Sequence, residues 1–320
     1  MMQFKKIFLI ITIAIFICFI SSELITSQQI LFETSSIGLS ECLLDISFVD
    51  SQNGWISGWG GSIFHTENGG RQWEKQDSGV KYEWFTGIWF LDELRGWICG
   101  SDGSLVQTTD GGKNWFRKKI SNSHFMNIRF VSNLSGWLCG LDGKILHTSD
   151  GGANWQEQVA PDKLFLTKIF FISEKRGWII GGNGTILFTD DEGSNWVKQS
   201  APVNTLLLGL YFLDENTGWI CGGDGTLIYT DNGGKSYRKV NIPYMNELSS
   251  IFFFDKNVGY AVGEPDEIEQ KTVLFKTTDG GISWDTSLLP INQWIHAIKC
   301  NTDKTCFLVG SQGTIIRFHP

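Results

Sequence analysis

Residues 136–155, GWLCGLDGKILHTSDGGANW, contain the two motifs that decide the fold, a Gly-Trp pair and a Thr-x-Asp-Gly-Gly-x-x-Trp box. The pair returns along the chain with its aromatic residue 42, 40, 41, 41, 41 and 47 residues apart. The seven aromatic positions are Trp55, Trp97, Trp137, Trp178, Trp219, Tyr260 and Phe307. A period of roughly 40–50 residues filled with short strand patterns is typical of propeller blades, which stack around an axis to bury their apolar faces. The repeat therefore predicts an all-β, seven-bladed β-propeller with four-stranded blades.

Each unit has the internal pattern of four strands, named A to D from the axis outwards. An aliphatic residue lies nine positions before the aromatic residue in all seven units, and Phe lies seven positions before it in six. A spacing of two places both side chains on one face of the inner strand, A. The Gly-Trp segment forms strand B. A turn such as Asp102-Gly103 or Asn183-Gly184 joins it to strand C, because these residues tolerate positive φ.

The box motif follows strand C in six units. Its acidic or amide residue can accept hydrogen bonds from the backbone amides of its own turn, its glycines supply unusual φ angles, and its aromatic residue packs on the blade. The residues concerned are Asn68, Asp110, Asp150, Asp191, Asn232 and Asp279. These motifs resemble the Asp boxes, or BNR repeats, of sialidase-type propellers. A ligand or calcium site is the functional alternative, and we favour a structural role.

Six boxes for seven units leave the last blade without a fourth strand. The segment Ile30–Ser35 resembles the D strands of other units, and the seventh unit ends the chain after its C strand. We predict that residues near 29–35 supply the outer strand of the last blade, which closes the ring and removes an open sheet edge. Deletion of Ile30–Ser35 should then strongly destabilise the protein.

The N-terminus has the pattern of an export signal. Lys5 and Lys6 precede an apolar run over residues 7–20, which is followed by Ser21 and Ser22. Such a run is short for a transmembrane helix of about 20 residues. We predict a signal peptide, or an uncleaved anchor, over residues 1–22, followed by a single propeller over residues 29–320. The protein is expected to be exported to a periplasmic, lumenal or extracellular location.

The composition is acidic. The formal net charge is −8, and the sequence contains no run of more than three basic residues. This charge argues against binding of nucleic acid or of anionic lipid through electrostatics. Membrane contact is therefore expected only through an uncleaved N-terminal segment or through a partner.

The six cysteines that follow the N-terminal apolar run fall into three groups. Three of them share one position, two residues after the Trp of strand B, which indicates a packing role because free Cys behaves as a small apolar residue. These are Cys99, Cys139 and Cys221. Cys300 and Cys306 replace the strand A Phe and the Gly before the aromatic residue, and we hypothesise that they form a disulfide, which an exported protein permits. Cys42 has no evident partner.

Propellers usually carry their function on the face made by the D–A connections and the B–C turns, here called the upper face. The candidates that the sequence places there are Trp59, Trp84, Phe85, His124, Phe125, Arg129, Lys168, Trp294 and His296. These side chains either contact a partner or cap the inner strands as ordinary core, and both interpretations stay open. The sixth unit also has an enlarged B–C connection, Glu264–Lys271, which is either a contact surface or a solvated loop.

The sequence contains no set of residues that supports catalysis. A sialidase needs converging arginines, a tyrosine nucleophile and an acid, but the seven arginines do not converge in the predicted register. A glycosidase needs two carboxylates about 5–10 Å apart, and nothing in the spacing of Asp45, Glu264 and the turn aspartates selects a pair. We predict no enzyme activity, no metal site and no cofactor.

The combined repeat resembles the photosystem II stability/assembly factor family of plants and cyanobacteria. The matching residues run from Ile46 to Trp284, and the partial last blade extends the match to Phe318. The resemblance implies a non-catalytic, lumenal or periplasmic propeller that assists assembly of a membrane complex by binding an immature subunit. It also implies a basic patch on the binding face. The basic residues available for such a patch are Lys81, Arg129, Lys163 and Lys168.

Three functional hypotheses follow. The leading one is an exported scaffold that holds a protein segment on the upper face, with contact area from aromatic residues such as Trp59, Trp84, Phe125 and Trp294. The alternative is a carbohydrate-binding or glycoside-hydrolase-like propeller that uses aromatic platforms and turn carboxylates. The third is a purely structural surface protein. Two carboxylates facing each other in a deep axial pocket favour glycan chemistry, whereas a broad, shallow face favours a protein partner.

Overall fold

The computed structural model of the chain describes residues 31–37, 42–242 and 244–320. Within these ranges, 28 strands form seven four-stranded antiparallel sheets. In six sheets the spatial order of the strands follows the chain, from the inner strand A to the outer strand D. The predicted seven-bladed β-propeller is confirmed.

All seven inner strands have six residues, whereas the outer strands have two to five. The strands in chain order are β1 (Phe32–Ser36), β2 (Leu43–Phe48), β3 (Gly54–Gly58), β4 (Ile63–Thr66), β5 (Glu74–Gln76), β6 (Phe85–Phe90), β7 (Gly96–Gly100), β8 (Ser104–Thr108), β9 (Phe116–Lys119), β10 (Phe125–Phe130), β11 (Gly136–Gly140), β12 (Ile145–Thr148), β13 (Gln156–Gln158), β14 (Leu166–Phe171), β15 (Gly177–Gly181), β16 (Ile186–Thr189), β17 (Val197–Gln199), β18 (Leu207–Phe212), β19 (Gly218–Gly222), β20 (Thr226–Thr230), β21 (Arg238–Lys239), β22 (Leu248–Phe253), β23 (Gly259–Pro265), β24 (Thr272–Thr277), β25 (Asp285–Leu288), β26 (Ile295–Cys300), β27 (Cys306–Gly310) and β28 (Thr314–Phe318). Short 3-10 turns follow strand B at Trp59–Gly61, Ser101–Gly103, Leu141–Gly143 and Ser311–Gly313.

The N-terminal strand β1 closes the ring, as predicted. It pairs antiparallel with β28, so that Phe32 lies opposite Phe318 and Ser36 opposite Thr314. The observed strand, Phe32–Ser36, begins later than the predicted segment, and residues 29 and 30 lie outside the described residues. An ion pair of 2.7 Å between Glu33 and Arg317 adds to the pairing. The last blade therefore takes its outer strand from the opposite end of the chain.

Stacked aromatic rings join consecutive blades. The Trp of strand B in one blade lies almost parallel to the Phe at the end of strand A in the next blade, and we call each such contact a seam stack. The ring centroids are 3.6 Å apart for Trp55–Phe90, 3.9 Å for Trp97–Phe130, 3.7 Å for Trp137–Phe171, 3.7 Å for Trp178–Phe212 and 3.5 Å for Trp219–Phe253. Phe307 of blade 7 stacks on Phe48 of blade 1 at 4.5 Å, so the ring-closing seam has the same design.

The seam stacks explain why Gly precedes the aromatic residue in six of the seven repeats. In blade 4 the strand A residue Phe171 lies directly opposite Gly177 in the sheet. A Cβ atom at Gly177 would lie only 2.6 Å from the Phe171 ring. Glycine therefore leaves the space in which the Phe lies flat, within reach of the preceding blade's Trp.

Blade 7 replaces this Phe–Gly pair with two cysteines. Cys300 and Cys306 are directly opposite in β26 and β27, and a disulfide joins them with an S–S distance of 2.00 Å. Tyr260 of blade 6 then has no strand A Phe to stack on, and its ring contacts Phe318 edge-on at 5.5 Å. In blade 7 a disulfide therefore occupies the position that the Phe ring occupies in the other blades.

The six boxes share one hydrogen-bond pattern. The Asp or Asn Oδ1 accepts a hydrogen bond from the backbone N–H four residues later in every box. In the second box this bond joins Asp110 to Asn114 at 2.9 Å, and the side chain of Asn114 donates to the other carboxylate oxygen at 2.7 Å. These two hydrogen bonds lower the pKa of Asp110 to about 2. In all six boxes this side chain organises its own turn.

The predicted signal peptide or anchor over residues 1–22 lies outside the described residues. Over the ranges that the structure does describe, no helix is both long enough and apolar enough to span a bilayer.

Candidate functional site: the upper face and the axial channel

The upper face is shaped by tight B–C turns. The turn residues Asp102, Asp142, Asn183 and Asp224 have φ between 54° and 58°, in the left-handed region. Asp and Asn adopt this conformation more readily than most residues. These turn aspartates are therefore accounted for by the backbone, as the sequence predicts.

Two exposed tryptophans form a platform on the upper face at the junction of blades 1 and 2. Trp59 and Trp84 stack with ring centroids 5.1 Å apart and planes 11° apart, yet they remain 43% and 52% exposed. Backbone hydrogen bonds hold both: Trp59 N–H donates to Cys42 O at 2.9 Å, and Trp84 N–H donates to Ser101 Oγ at 3.0 Å. The pair, here called the tryptophan platform, offers rigid apolar area to a ligand.

Phe85 and Phe125 were predicted on the upper face, and this placement is wrong. Both side chains are fully buried. Each is the first residue of its inner strand, and its side chain packs into the core between two blades. The equivalent residues of the other blades are also buried and apolar: Leu43, Leu166, Leu207, Leu248 and Ile295. Here the alternative interpretation as ordinary core holds.

The structure leaves His124 near the surface of the upper face. Its side chain is 46% exposed, and Nε2 lies 3.9 Å from Oδ1 of Asp102, which is itself 70% exposed. The basic residues Lys81 and Lys163 are also exposed. These groups are available to a ligand, but none is tightly held by its neighbours.

Trp294 and His296 of blade 7 make polar contacts to opposite neighbours, Trp294 to blade 6 and His296 to blade 1. The Nε2 atom of His296 lies 3.2 Å from Ser311 Oγ and 3.4 Å from Cys42 Sγ. Trp294 donates its indole N–H to Ser249 Oγ at 3.0 Å. Burial lowers the pKa of His296 to about 4, so the imidazole is neutral at physiological pH. Cys42, which has no evident partner in the sequence, thus contacts residues more than 250 positions away.

An acidic pair, Glu247 and Glu264, lies at the enlarged connection of blade 6. Glu264 Oε2 accepts a hydrogen bond from Glu247 N–H at 3.2 Å, and Asn246 donates its side-chain N–H to Pro265 O at 2.7 Å. Burial, together with the nearby charge of Glu264, raises the pKa of Glu247 to about 7. The longer hairpin is therefore attached to the D–A segment beside it.

Arg129 and Lys168 were predicted on the upper face, but both line the axial channel. They surround a cavity of about 70 Å³ formed by the inner strands. Lys168 Nζ lies 3.7 Å from Asp45 Oδ1, and Asn127 donates its side-chain N–H to Asp45 Oδ2 at 3.4 Å. Strand A begins at the upper face and runs away from it. Both basic residues follow the first residues of this strand, so they lie below the face.

Arg129 is enclosed by aromatic rings in this channel. Its guanidinium lies 4.7 Å from the ring centroid of Trp89 and 4.1 Å from that of Phe170, and Nε donates to Phe171 O at 3.2 Å. Burial lowers its pKa to about 10. Lys299, which the sequence interpretation missed, lies 5.5 Å from the Trp89 ring in the same channel. Its register could have revealed it, because Lys299 occupies the same strand A position as Arg129.

The remaining cysteines are in the core. Cys99, Cys139 and Cys221 are fully buried and free, and burial raises the pKa of each thiol. Among the residues that the structure describes, no group of three or more His, Cys, Asp or Glu side chains could hold a metal ion.

A family model described as "Photosynthesis system II assembly factor YCF48" matches the chain in three overlapping stretches, residues 25–123, 81–165 and 121–209. Together these stretches span more than half of the chain. The chain belongs to this family. The resemblance of the Gly-Trp and Asp-box repeat to these assembly factors is thereby confirmed. A comparison with curated protein sequences gave no significant match.

Solved propellers of the YCF48 type superpose closely on the chain. The structures described as "YCF48 bound to D1 peptide" and "YCF48 from Cyanidioschyzon merolae" each give a TM-score of 0.76 at 19% identity. Both cover 90% of this chain, and the chain covers 97% and 99% of them, respectively. A streptogramin B lyase gives a TM-score of 0.73 at 15% identity, over 91% of this chain and 97% of the lyase. At these identities the likeness shows the fold alone, which is shared by binding proteins and an enzyme.

Proposed function

We propose that this member of the YCF48 family is an exported, non-catalytic scaffold that binds a protein segment of a membrane complex on its upper face. The observation that carries the proposal is the tryptophan platform, a rigid, exposed aromatic surface on a face otherwise formed by tight turns. Tryptophan is among the residues most enriched at binding hot spots, because it buries a large area at low entropic cost.

The family supports the nature of the ligand. One YCF48 structure is described as bound to a D1 peptide, so a propeller of this family binds a protein segment from a membrane complex. The platform suits such a segment, since a backbone-anchored aromatic pair can receive an apolar side chain with little reorganisation. The segment would complete its contacts on exposed groups nearby, such as Tyr82 and His124.

Export is supported by two features of the chain. Lys5 and Lys6 followed by the apolar run over residues 7–20 have the pattern of a secretory signal. The Cys300–Cys306 disulfide suits an oxidising compartment. Cell fractionation with N-terminal sequencing of the purified protein tests this part: we expect the protein outside the cytoplasm, and its recovery in the cytoplasmic fraction would contradict export.

Site-specific crosslinking tests the binding surface. A photoreactive phenylalanine analogue at position 84 should crosslink, in native membranes, to one segment of one membrane-complex subunit. The control position is 116, because Phe116 is 62% exposed on the outer strand β9, away from the upper face. Equal crosslinking from both positions would contradict a specific upper-face site.

Peptide affinity supplies a second, quantitative test. With a D1-derived peptide as the probe, the double substitution Trp59→Ala and Trp84→Ala should weaken binding at least about tenfold, as expected for loss of a hot spot. Phe116→Ala should change the affinity by less than about twofold.

A glycan-binding propeller is the alternative that the same platform permits, since an aromatic surface also stacks on sugar rings. Screening the purified protein against a glycan array, and against chromogenic glycosides for turnover, separates the two. Platform-dependent glycan binding or hydrolysis, without peptide binding, would replace the scaffold proposal.

A further inference from the structure

The axial channel holds more positive than negative charge. Three basic side chains, Arg129, Lys168 and Lys299, line the cavity of about 70 Å³, together with the single carboxylate of Asp45. These four residues come from the inner strands of blades 3, 4, 7 and 1. The ring of blades therefore brings them together although they are far apart in the chain.

Most of the donors on these three side chains lack an acceptor. Arg129 uses Nε on Phe171 O, but neither of its Nη atoms has a hydrogen-bond partner among the described residues. The same holds for Lys299 Nζ, whose neighbour is the ring of Trp89. Within the described ranges, the one partner of Lys168 Nζ is the Asp45 carboxylate, 3.7 Å away. The cavity is thus lined by cationic N–H groups that have few protein acceptors among the described residues.

Water in the cavity can accept hydrogen bonds from these donors, but it does not neutralise three positive charges that share one carboxylate. A buried charge is destabilising unless it is paired and hydrogen-bonded, and like charges in a low-dielectric space repel each other strongly. Burial, followed by the charge of Arg129, lowers the pKa of Lys299 to about 8. At neutral pH Lys299 is still mainly protonated, so its proton loss does not relieve the imbalance.

We infer that the axial cavity binds a small inorganic anion between Arg129, Lys168 and Lys299. The cavity volume exceeds the roughly 10–15 Å³ that one water needs by the same kind of measure, so it accommodates a halide or a small oxyanion with accompanying water. Arginine and lysine N–H groups are the donors that form strong, charge-assisted hydrogen bonds to such anions. This site lies below the upper face and does not depend on the protein ligand proposed there.

Thermal unfolding at constant ionic strength tests the inference. The full chain is titrated with sodium chloride or with sodium phosphate, each replacing sodium gluconate, whose anion is too large for the cavity. Binding to the folded state alone should raise the melting temperature along a saturable curve. A response to chloride but not to phosphate would indicate a halide site, and the reverse would indicate an oxyanion site. No saturable response to either salt would overturn the inference.

Matched substitutions localise the response. Lys299→Met should weaken the apparent anion affinity at least tenfold, because it removes one of the three donors, while Lys163→Met removes the same charge from an exposed position and should leave the affinity unchanged. Lys168→Gln serves as a second channel variant if Lys299→Met fails to fold. Equal anion responses in the channel variants and in Lys163→Met would contradict the assignment.

Two further readouts are independent of variant folding. Crystals of the wild-type protein soaked in sodium bromide should show an anomalous peak in the axial cavity, and bromide confined to the outer surface would contradict the site. The affinity should also fall as the pH rises through about 8, where Lys299 loses its proton while facing Arg129, Lys168 and Asp45.

The double substitution Trp59→Ala and Trp84→Ala should leave the anion response intact. Failure of the anion proposal can therefore be distinguished from failure of the peptide-binding proposal.

Discussion

The seams between blades and the upper face are built from the same repeats, but they differ in regularity. At the seams one residue type recurs at one position, and its side chain is buried: Trp178 has no exposed surface. On the upper face the tryptophans stand outside the repeat, and Trp84 is 52% exposed. Periodic residues of this chain therefore assemble the ring, whereas residues outside the period create surface that a ligand can use.

The axial channel extends the same contrast. The strand A positions that form the core between blades include the apolar Leu166 and Phe171, whereas the positions that line the channel include Asp45, Arg129, Lys168 and Lys299. The packing on one side of strand A is therefore similar from blade to blade, whereas the charge and polarity of the side chains on the channel side vary. Changes at the seams should alter stability, and changes on the face should alter binding.

Deletion of Phe32–Ser36 should have the largest effect, because it opens the ring. The loss of the hydrogen bonds between β1 and β28 and of the Phe32 contact with Phe318 should reduce the free energy of unfolding by on the order of 5 kcal/mol. Urea denaturation measures this change. Glu33→Gln, which removes only the ion pair with Arg317, is the control and should cost less than about 1 kcal/mol. An unchanged unfolding midpoint in the deletion would refute ring closure by β1.

Trp178→Ala should have the next largest effect. It removes a fully buried ring from the seam stack with Phe212 and should cost about 3–5 kcal/mol of stability. Trp84→Ala truncates an exposed ring of the same type and should change stability by no more than about 0.5 kcal/mol. Similar losses in the two variants, measured by chemical denaturation, would remove the distinction between seam and face.

The disulfide of blade 7 should contribute less. Cys300→Ser with Cys306→Ser should lower the stability by about 2 kcal/mol, because the closed loop is short. Cys300→Phe with Cys306→Gly restores the pair that the other blades use, and it should be more stable than the double serine variant. Thermal melts of both variants provide the comparison. Mass spectrometry that finds both thiols free in protein purified without reductant would contradict the disulfide itself.

Asp110→Ala should produce a smaller loss that is confined to one blade. Asp110→Asn is the matched control, since Asn occupies the same position in the boxes of Asn68 and Asn232 and makes the same hydrogen bond. We expect the Ala variant to melt below the wild type and the Asn variant to melt close to it. The folded-state pKa of Asp110 is lowered to about 2, so the stabilising contribution of its charge is present above the unfolded-state pKa of about 4 and is lost as the pH falls through 2. An Ala-to-wild-type difference that does not shrink between pH 5 and pH 2 would contradict this assignment.

Glu247→Gln should have the smallest effect on stability. Unlike the other substitutions, it should not destabilise the folded protein at pH 7. Because burial raises the folded-state pKa of Glu247 to about 7, the folded protein binds the proton more tightly than the unfolded chain does. Glu247 should therefore make the protein less stable as the pH rises from about 4.5 to 7. The Gln variant should lack this decline and match or exceed the wild-type melting temperature at pH 7. A steeper decline in the variant would exclude the assignment.

The blade count and the ring closure were predictable because their signals repeat. Gly177 opposite Phe171 illustrates why: the steric demand of one ring on one backbone position recurs in six of the seven blades and so leaves a period in the chain. The opposed cysteines of blade 7 were found by the same register. Phe85 and Phe125 were misplaced because their position at the start of strand A was treated as a loop, although apolar residues recur there too.

The candidate site was predictable only in part. Trp59 and Trp84 were expected on the upper face, but their stacking depends on how blades 1 and 2 meet. The contact of Cys42 with His296 joins residues 254 positions apart, and no local pattern signals it.

Periodicity along the chain therefore suffices to specify the architecture, since every blade must satisfy the same local steric and hydrogen-bonding demands. The clustering of Arg129, Lys168 and Lys299 is not specified in this way. Each of these residues lies in a different inner strand, and only the closing of seven blades around one axis places the three charges in a shared cavity. No local sequence pattern indicates such a contact between residues that are far apart in the chain.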